Sequence, residues 1–211
     1  MSEAIDSPDP TIRVDRVRAM SAPDPLLLPV PDGCVVSTGV DELGTGTSVE
    51  SACGTRRYRL SRTWDPDRPR IAWCLLNPST ATAEGADQTL RRVVGFSVAW
   101  GFGSAEVVNL FSLRSTDPQG LVGHDDPEGP HADEAIDRAV AGADRVVLAW
   151  GSGGWYRSRG ASVVDRLAAA GVAAQCLGVT VNGQPRHPLY LAGVTEPADY
   201  RSASANAGWA S

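Results

Sequence analysis

Four short apolar runs, spaced by segments of helical period, constrain this chain more than any other feature of it. Ile71-Ala72-Trp73-Cys74-Leu75-Leu76 is apolar throughout and stops at Asn77-Pro78. Residues 87–99 follow with Leu90, Val93, Val94 and Val98 at helical spacing. Ala105-Glu106-Val107-Val108-Asn109-Leu110-Phe111 is the second run. Pro130 and Asp133-Glu134 then open a helix through Val140 that closes at Gly142. Arg145-Val146-Val147-Leu148-Ala149-Trp150 is the third run, stopped by Gly151. Residues 162–170 read as a helix ended by Gly171, and residues 172–177 are the fourth run. Strands this short and this apolar are buried on both faces, the condition of a parallel sheet covered by helices. Right-handed crossovers place those helices on its two sides. The expected fold is therefore α/β, a three-layer αβα sandwich around a central, mainly parallel four-stranded sheet.

The flanks differ in character. Residues 1–32 are rich in Asp-Pro and Pro-Asp steps and read as a flexible N-terminal arm. From Cys34 to Trp64 the chain is rich in Gly, Thr, Ser and Val. Arg57-Tyr58-Arg59-Leu60-Ser61-Arg62 within it alternates in polarity as a half-exposed strand does. This stretch is expected to add a small antiparallel extension. A single α/β domain over 33–200 and a tail over 201–211 complete the organisation. At 211 residues the chain suits one core better than two. Its start, Met-Ser-Glu-Ala-Ile-Asp, is acidic and unlike a secretory signal, and no apolar run nears the ~20 residues of a membrane span. A cytoplasmic location is expected, with Cys34, Cys53, Cys74 and Cys176 as free thiols and no membrane partner. No close Cys/His pair has ligand spacing, so no metal site is expected.

In an open α/β sheet, ligands bind outside the carboxyl ends of the strands. Each of the four ends here carries polar groups: Asn77-Pro78-Ser79-Thr80; Asn109 with Ser112, Arg114, Thr116 and Asp117 beyond it; Gly151-Ser152-Gly153-Gly154; and the turn holding His187. Asn77 before Pro78 also suits a plain turn. Asn109 interrupts an apolar strand, so its amide is either hydrogen-bonded in the core or turned to a ligand. The glycine-rich turn can cradle a phosphate or simply meet a need for positive φ, and it lacks Walker or Rossmann spacing, so no cofactor is expected. His124 and His131 fall in a Gly/Pro-rich loop, whereas His187 falls where the site should be. The net charge of −6 argues against bulk coating of nucleic acid. Arginines cluster nonetheless at 56, 57, 59, 62, 68 and 70, at 91 and 92, and at 157 and 159, either as a solvated face or as phosphate contacts.

These residues carry a resemblance. Leu75-Leu76-Asn77-Pro78-Ser79-Thr80-Ala81, Asp87-Gln88-Thr89-Leu90-Arg91-Arg92, Val108-Asn109-Leu110-Phe111-Ser112-Leu113-Arg114-Ser115-Thr116-Asp117-Pro118, Ala149-Trp150-Gly151 and His187-Pro188-Leu189-Tyr190-Leu191 resemble the bacterial and phage family called domain of unknown function 1643, from about Tyr58 to Tyr190. The order of the motifs is also similar, more distantly, to the uracil-DNA glycosylase superfamily. That likeness implies an N-glycosidase acting on a nucleobase-containing substrate: a modified nucleoside, a nucleotide or DNA. Under it Asn77 positions a water, Asn109 reads the base edge, and His187 stabilises the leaving base. Asp87 is a spare carboxylate for the catalytic set. Phe111, Arg114, Gly151, Ser79 and Thr80 stand in the matching motifs as substrate-binding residues. Arg91, Arg92 and Arg186 are the expected phosphate contacts.

The chain departs from that superfamily at two positions. Leu75 stands where a glycine is usual two places before the Asp or Asn, and Leu189 stands where the His-Pro-Ser turn has its Ser. An Asn at 77 also cannot take a proton as a carboxylate does, which costs about 10²–10⁴-fold in rate. These departures keep open a non-catalytic nucleotide- or nucleic-acid-binding module that uses the same pocket. A hydrolase with Ser79 or Ser152 as nucleophile is the remaining alternative, and neither serine lies in a G-x-S-x-G elbow.

Overall fold

The computed structural model describes residues 30–117 and 119–200. The tail, and all of the arm except residues 30–32, lie outside the described residues. The protein is a mixed α/β fold with one eight-stranded sheet in the order β1-β2-β3-β5-β4-β6-β7-β8. The strands are β1 (Cys34–Asp41), β2 (Gly44–Ser51), β3 (Arg57–Thr63), β4 (Arg70–Leu75), β5 (Ser104–Asn109), β6 (Arg145–Leu148), β7 (Ala174–Cys176) and β8 (Ala198–Asp199). The helices are α1 (Gln88–Ala99), α2 (Gln119–Val122), α3 (Ala132–Ala141) and α4 (Arg159–Ala169).

The four apolar runs are the adjacent parallel strands β5, β4, β6 and β7. They pack as their composition requires. On one face Ile71, Trp73, Leu75, Val107 and Val147 bury against Leu90, Val93, Val94 and Phe96 of α1. On the other, Ala72, Cys74, Val108, Val146 and Leu148 bury against Ile136 and Ala139 of α3 and Val163 and Leu167 of α4. Each buried Val or Leu of this kind contributes about 1.5–3 kcal/mol against chain entropy. The connection from β4 runs to one side through α1, and that from β6 runs to the other through α4. Adjacent β4 and β6 therefore form a topological switch point, where a crevice opens at the carboxyl ends.

Helix α1 is anchored at both ends. Asp87 caps its start, its Oδ1 accepting the Leu90 N–H at 2.8 Å. Further along, Trp73 of β4 stacks on Trp100 at 5.6 Å between ring centroids and donates its indole N–H to Ser97 Oγ at 3.1 Å. This fixes where the first turn of α1 meets the sheet.

The N-terminal extension is larger than the small edge expected from sequence. It comprises β1, β2 and β3, antiparallel throughout, and β3 joins β5 antiparallel to continue the same sheet. β3 is also not half-exposed: every residue from Arg57 to Thr63 is buried. Its arginines alternate with apolar residues because each is neutralised or bonded inside. Arg59 pairs with Glu106, which Arg70 also reaches at 3.3 Å. Arg62, wholly buried, pairs with Asp41 at 2.8 Å and donates to Thr82 O at 2.8 Å. The solvated-face reading of these arginines is thereby excluded for β3.

One close approach shapes the ribbon. Gly39 and Gly46 are register partners in β1 and β2. A Cβ on Gly39 would lie 2.2 Å from Glu84 Cγ, and one on Gly46 would lie 2.1 Å from Ala83 O. The facing glycines form a notch in which the loop after β4 is seated.

Candidate functional site

A cavity of about 520 Å³ opens at the carboxyl ends of β4, β5 and β6, within the range of roughly 300–1,000 Å³ usual for small-molecule sites. Asn77, Ser79, Asp87, Asn109, Gly151 and His187 of the expected site all line it. They come from separate loops, and the sheet register brings them together. Leu75 at the end of β4 pairs with Asn109 at the end of β5. Leu110 N and Phe111 N then bond back to Leu75 O and Leu76 O at 2.9 Å each. Gly151 N bonds to Pro185 O at 2.8 Å, drawing the His187 turn to the end of β6.

Asn109 is the most telling of these residues. It is 4% exposed, and among the described residues neither its Nδ2 nor its Oδ1 has a hydrogen-bond partner. The alternatives left open by the sequence are thus decided against an amide satisfied by the core. Asn109 lines the cavity, and its amide donor and acceptor are buried side by side without protein partners among the described residues.

Asn77 is the opposite case. Its Nδ2 donates to Ser115 O at 2.7 Å and to Pro78 O at 3.1 Å. The amide N–H groups thus tie the loop after β4 to the loop after β5. What the side chain has left to offer is Oδ1, an acceptor.

His187 is half-buried. Its Nδ1 accepts the Leu189 N–H at 3.3 Å. Burial lowers its pKa below the usual 6.5, with nearby Asp87 pulling weakly the other way. The neutral ring therefore carries its proton on Nε2 and is a donor. Gly151 sits against it with φ +70°, and a Cβ there would lie 3.4 Å from His187 Cβ. The backbone conformation thus favours a glycine at the turn, while a side chain there would meet His187 only in ordinary contact.

Other expected residues lie elsewhere. Phe111 is fully buried in the core of the opposite face, 5.7 Å from the Tyr156 ring. Strand alternation would set it beside Asn109, but β5 ends at Asn109 and the chain turns. Arg114 pairs with Glu50, Arg91 pairs with Glu42, and Arg92 donates to Leu191 O. Thr80, Arg91 and Arg186 are exposed, Arg92 and Arg114 are half-buried, and none of the five lines the cavity. Residues outside the expected site set line it as well: Arg57, Thr89, Ser115, Thr116, Trp150 and Tyr190. Trp150 donates to Gln184 Oε1 at 2.8 Å, bracing the wall. All but Arg57 stand in motifs quoted for the resemblance, without a role assigned there.

Among the described residues no group of three or more His, Cys, Asp or Glu side chains is placed to hold a metal ion. All four cysteines are unpaired, Cys74 and Cys176 buried, Cys34 half-buried and Cys53 exposed. No described helix is long and apolar enough to cross a membrane.

A family model described as a protein of unknown function, DUF1643, matches residues 57–189. The chain belongs to this family. The DUF1643 match begins at the first residue of β3 and ends in the turn after His187, so it takes in every residue named above as lining the cavity except Tyr190. It leaves out the β1–β2 ribbon. No curated protein and no solved structure matches the chain.

Proposed function

We propose that this DUF1643 protein is an N-glycosidase, similar in its site to uracil-DNA glycosylases, acting on a nucleobase-containing substrate. The observation that carries the reading is the buried Asn109 amide with both polar atoms unpartnered among the described residues. A nucleobase edge presents an adjacent acceptor and donor, the complement of that amide. The rest of the wall supplies matching chemistry. His187 Nε2–H faces negative charge that develops on the leaving base as the C1′–N bond breaks and its electron pair departs with the base. Asn77 Oδ1 holds the water that adds to C1′. Asp87, the only acid among the described lining residues, takes that water's proton. We place this site on a three-layer αβα core within a single domain over residues 33–200, in a cytoplasmic setting that suits its free thiols.

The test is a mass-spectrometric search for released base. The full chain is incubated with nucleosides, nucleotides, and single- and double-stranded DNA carrying ordinary and modified bases. Release by the wild type and its loss in His187→Ala and Asn77→Ala are expected. Full turnover in both variants refutes the assignment of these residues.

A second reading rests on Asn77, whose N–H groups are committed to holding Ser115 O and Pro78 O. That structural use favours a non-catalytic nucleotide-binding module. Ligand binding with no base released from any substrate would establish it in place of the first.

A further inference from the structure

The cavity wall contains a cation outside the expected set. Arg57 opens β3, is 4% exposed, and lines the cavity. One of its terminal nitrogens donates to Ala81 O, while its Nε is buried with no hydrogen-bond partner among the described residues. Its neighbours are otherwise provided for. Arg59 holds Glu106, Arg62 holds Asp41, and Arg114 holds Glu50. Arg57 has no ion pair among the described residues, and Glu50 and Asp87 act on it only at longer range. Asp87 is committed to capping α1 through Oδ1.

A guanidinium taken out of water without a counter-ion is a costly arrangement that an anionic ligand relieves. Burial and the repulsion of Arg114 bring its pKa down to about 10, so it remains charged at neutral pH. Its planar fork suits the oxygens of a phosphate. Ser79, Thr89 and Thr116 add hydroxyl groups to the same wall.

We infer that the ligand of this cavity carries a terminal phosphate seated on Arg57, so that the substrate class is a nucleoside monophosphate. The inference rests on the proposed reading for the base, which Asn109 holds. A terminal phosphate fits better than an internal diester because Arg57 is buried in the wall. A polymer backbone would have to continue past it in both directions.

The experiment is calorimetric titration of the full-length protein with matched pairs: each of the common ribo- and deoxyribonucleosides against its 5′-monophosphate. Short single strands with and without a 5′-phosphate form a further arm. At least one monophosphate is expected to bind tenfold or more tighter than its nucleoside. That ratio should fall toward 1 in Arg57→Met and be partly kept in Arg57→Lys. A ratio near 1 for every wild-type pair, or an unchanged ratio in folded Arg57→Met, overturns the proposal. Tight binding confined to 5′-phosphorylated strands would overturn the free nucleotide as source.

Should Arg57→Met fail to fold, the wild type still answers. The Arg57 Nε–H resonance, assigned with Arg57→Lys, is followed as inorganic phosphate replaces chloride at constant ionic strength. A saturable shift supports the site, and none refutes it. Binding is read here without turnover, so loss of the glycosidase reading and loss of the phosphate seat give different results.

Discussion

Replacing Asn109 with Leu should make the protein more stable and less able to recognise its ligand. The amide holds one donor group and one acceptor in a 4%-exposed position without partners among the described residues. A buried polar group left unpaired costs about 1–3 kcal/mol, and an apolar side chain of similar shape removes the cost. Leu is slightly larger, and the adjoining cavity of about 520 Å³ gives it room without overpacking. A net gain of about 1–3 kcal/mol follows, which for a chain of this length raises Tm by roughly 2–12 °C. Thermal and urea melts of Asn109→Leu against wild type read it directly, with an unchanged urea slope confirming that the unfolded state is unaffected. Ligand binding should move the other way. Losing a bidentate contact worth about 1–3 kcal/mol weakens affinity for the base by roughly 5–150-fold. A fall in Tm would refute the reasoning, since it would mean that the amide holds a partner in solution that Leu cannot replace.

Two further outcomes can be checked in parallel. Burial holds the folded-state pKa of His187 below its usual 6.5, so between the two values the unfolded chain binds more protons. Stability should therefore fall as pH drops through 6.5 and level off below the folded-state pKa. Urea titrations at several pH values should show this slope reduced in His187→Gln. At Gly151, φ is +70°, so Gly151→Ala should cost about 1–2 kcal/mol of stability by forcing a side chain into the left-handed region. Wild-type stability in that variant would show that the turn tolerates a side chain.

The parallel part of the sheet was legible because burial on both faces leaves continuous apolar runs in β4 and β6 and an apolar centre in β5. The positions of Asn77, Asn109, Gly151 and His187 followed, since strand ends are where an α/β sheet must place its ligands. The ribbon was harder. β1 and β2 read as Gly, Thr, Ser and Val because Gly39 and Gly46 meet the loop after β4 closely and β1 is partly exposed, so neither strand presents an apolar face. Arg59 and Arg62 mislead for a related reason. Alternating Arg and apolar residues describe a half-exposed strand unless acids distant in sequence, such as Glu106 and Asp41, come in to neutralise the charges. Such pairings are set by tertiary structure and leave no local pattern. Phe111 shows the limit of period-two reasoning, which holds only while the strand continues.

The glycine notch bears on where this protein can be cut. The family match starts at residue 57, yet the loop carrying Ala81, a cavity-lining residue, rests in a seat made by Gly39 and Gly46. A fragment trimmed to the match would expose β3 as an open edge, with unpaired backbone groups inviting self-association. It would also strand Arg62 without Asp41. Sequence relationships traced only across 57–189 would miss the residues that hold one wall in place. Changes at Gly39 or Gly46 would therefore act on the cavity wall from outside the matched segment.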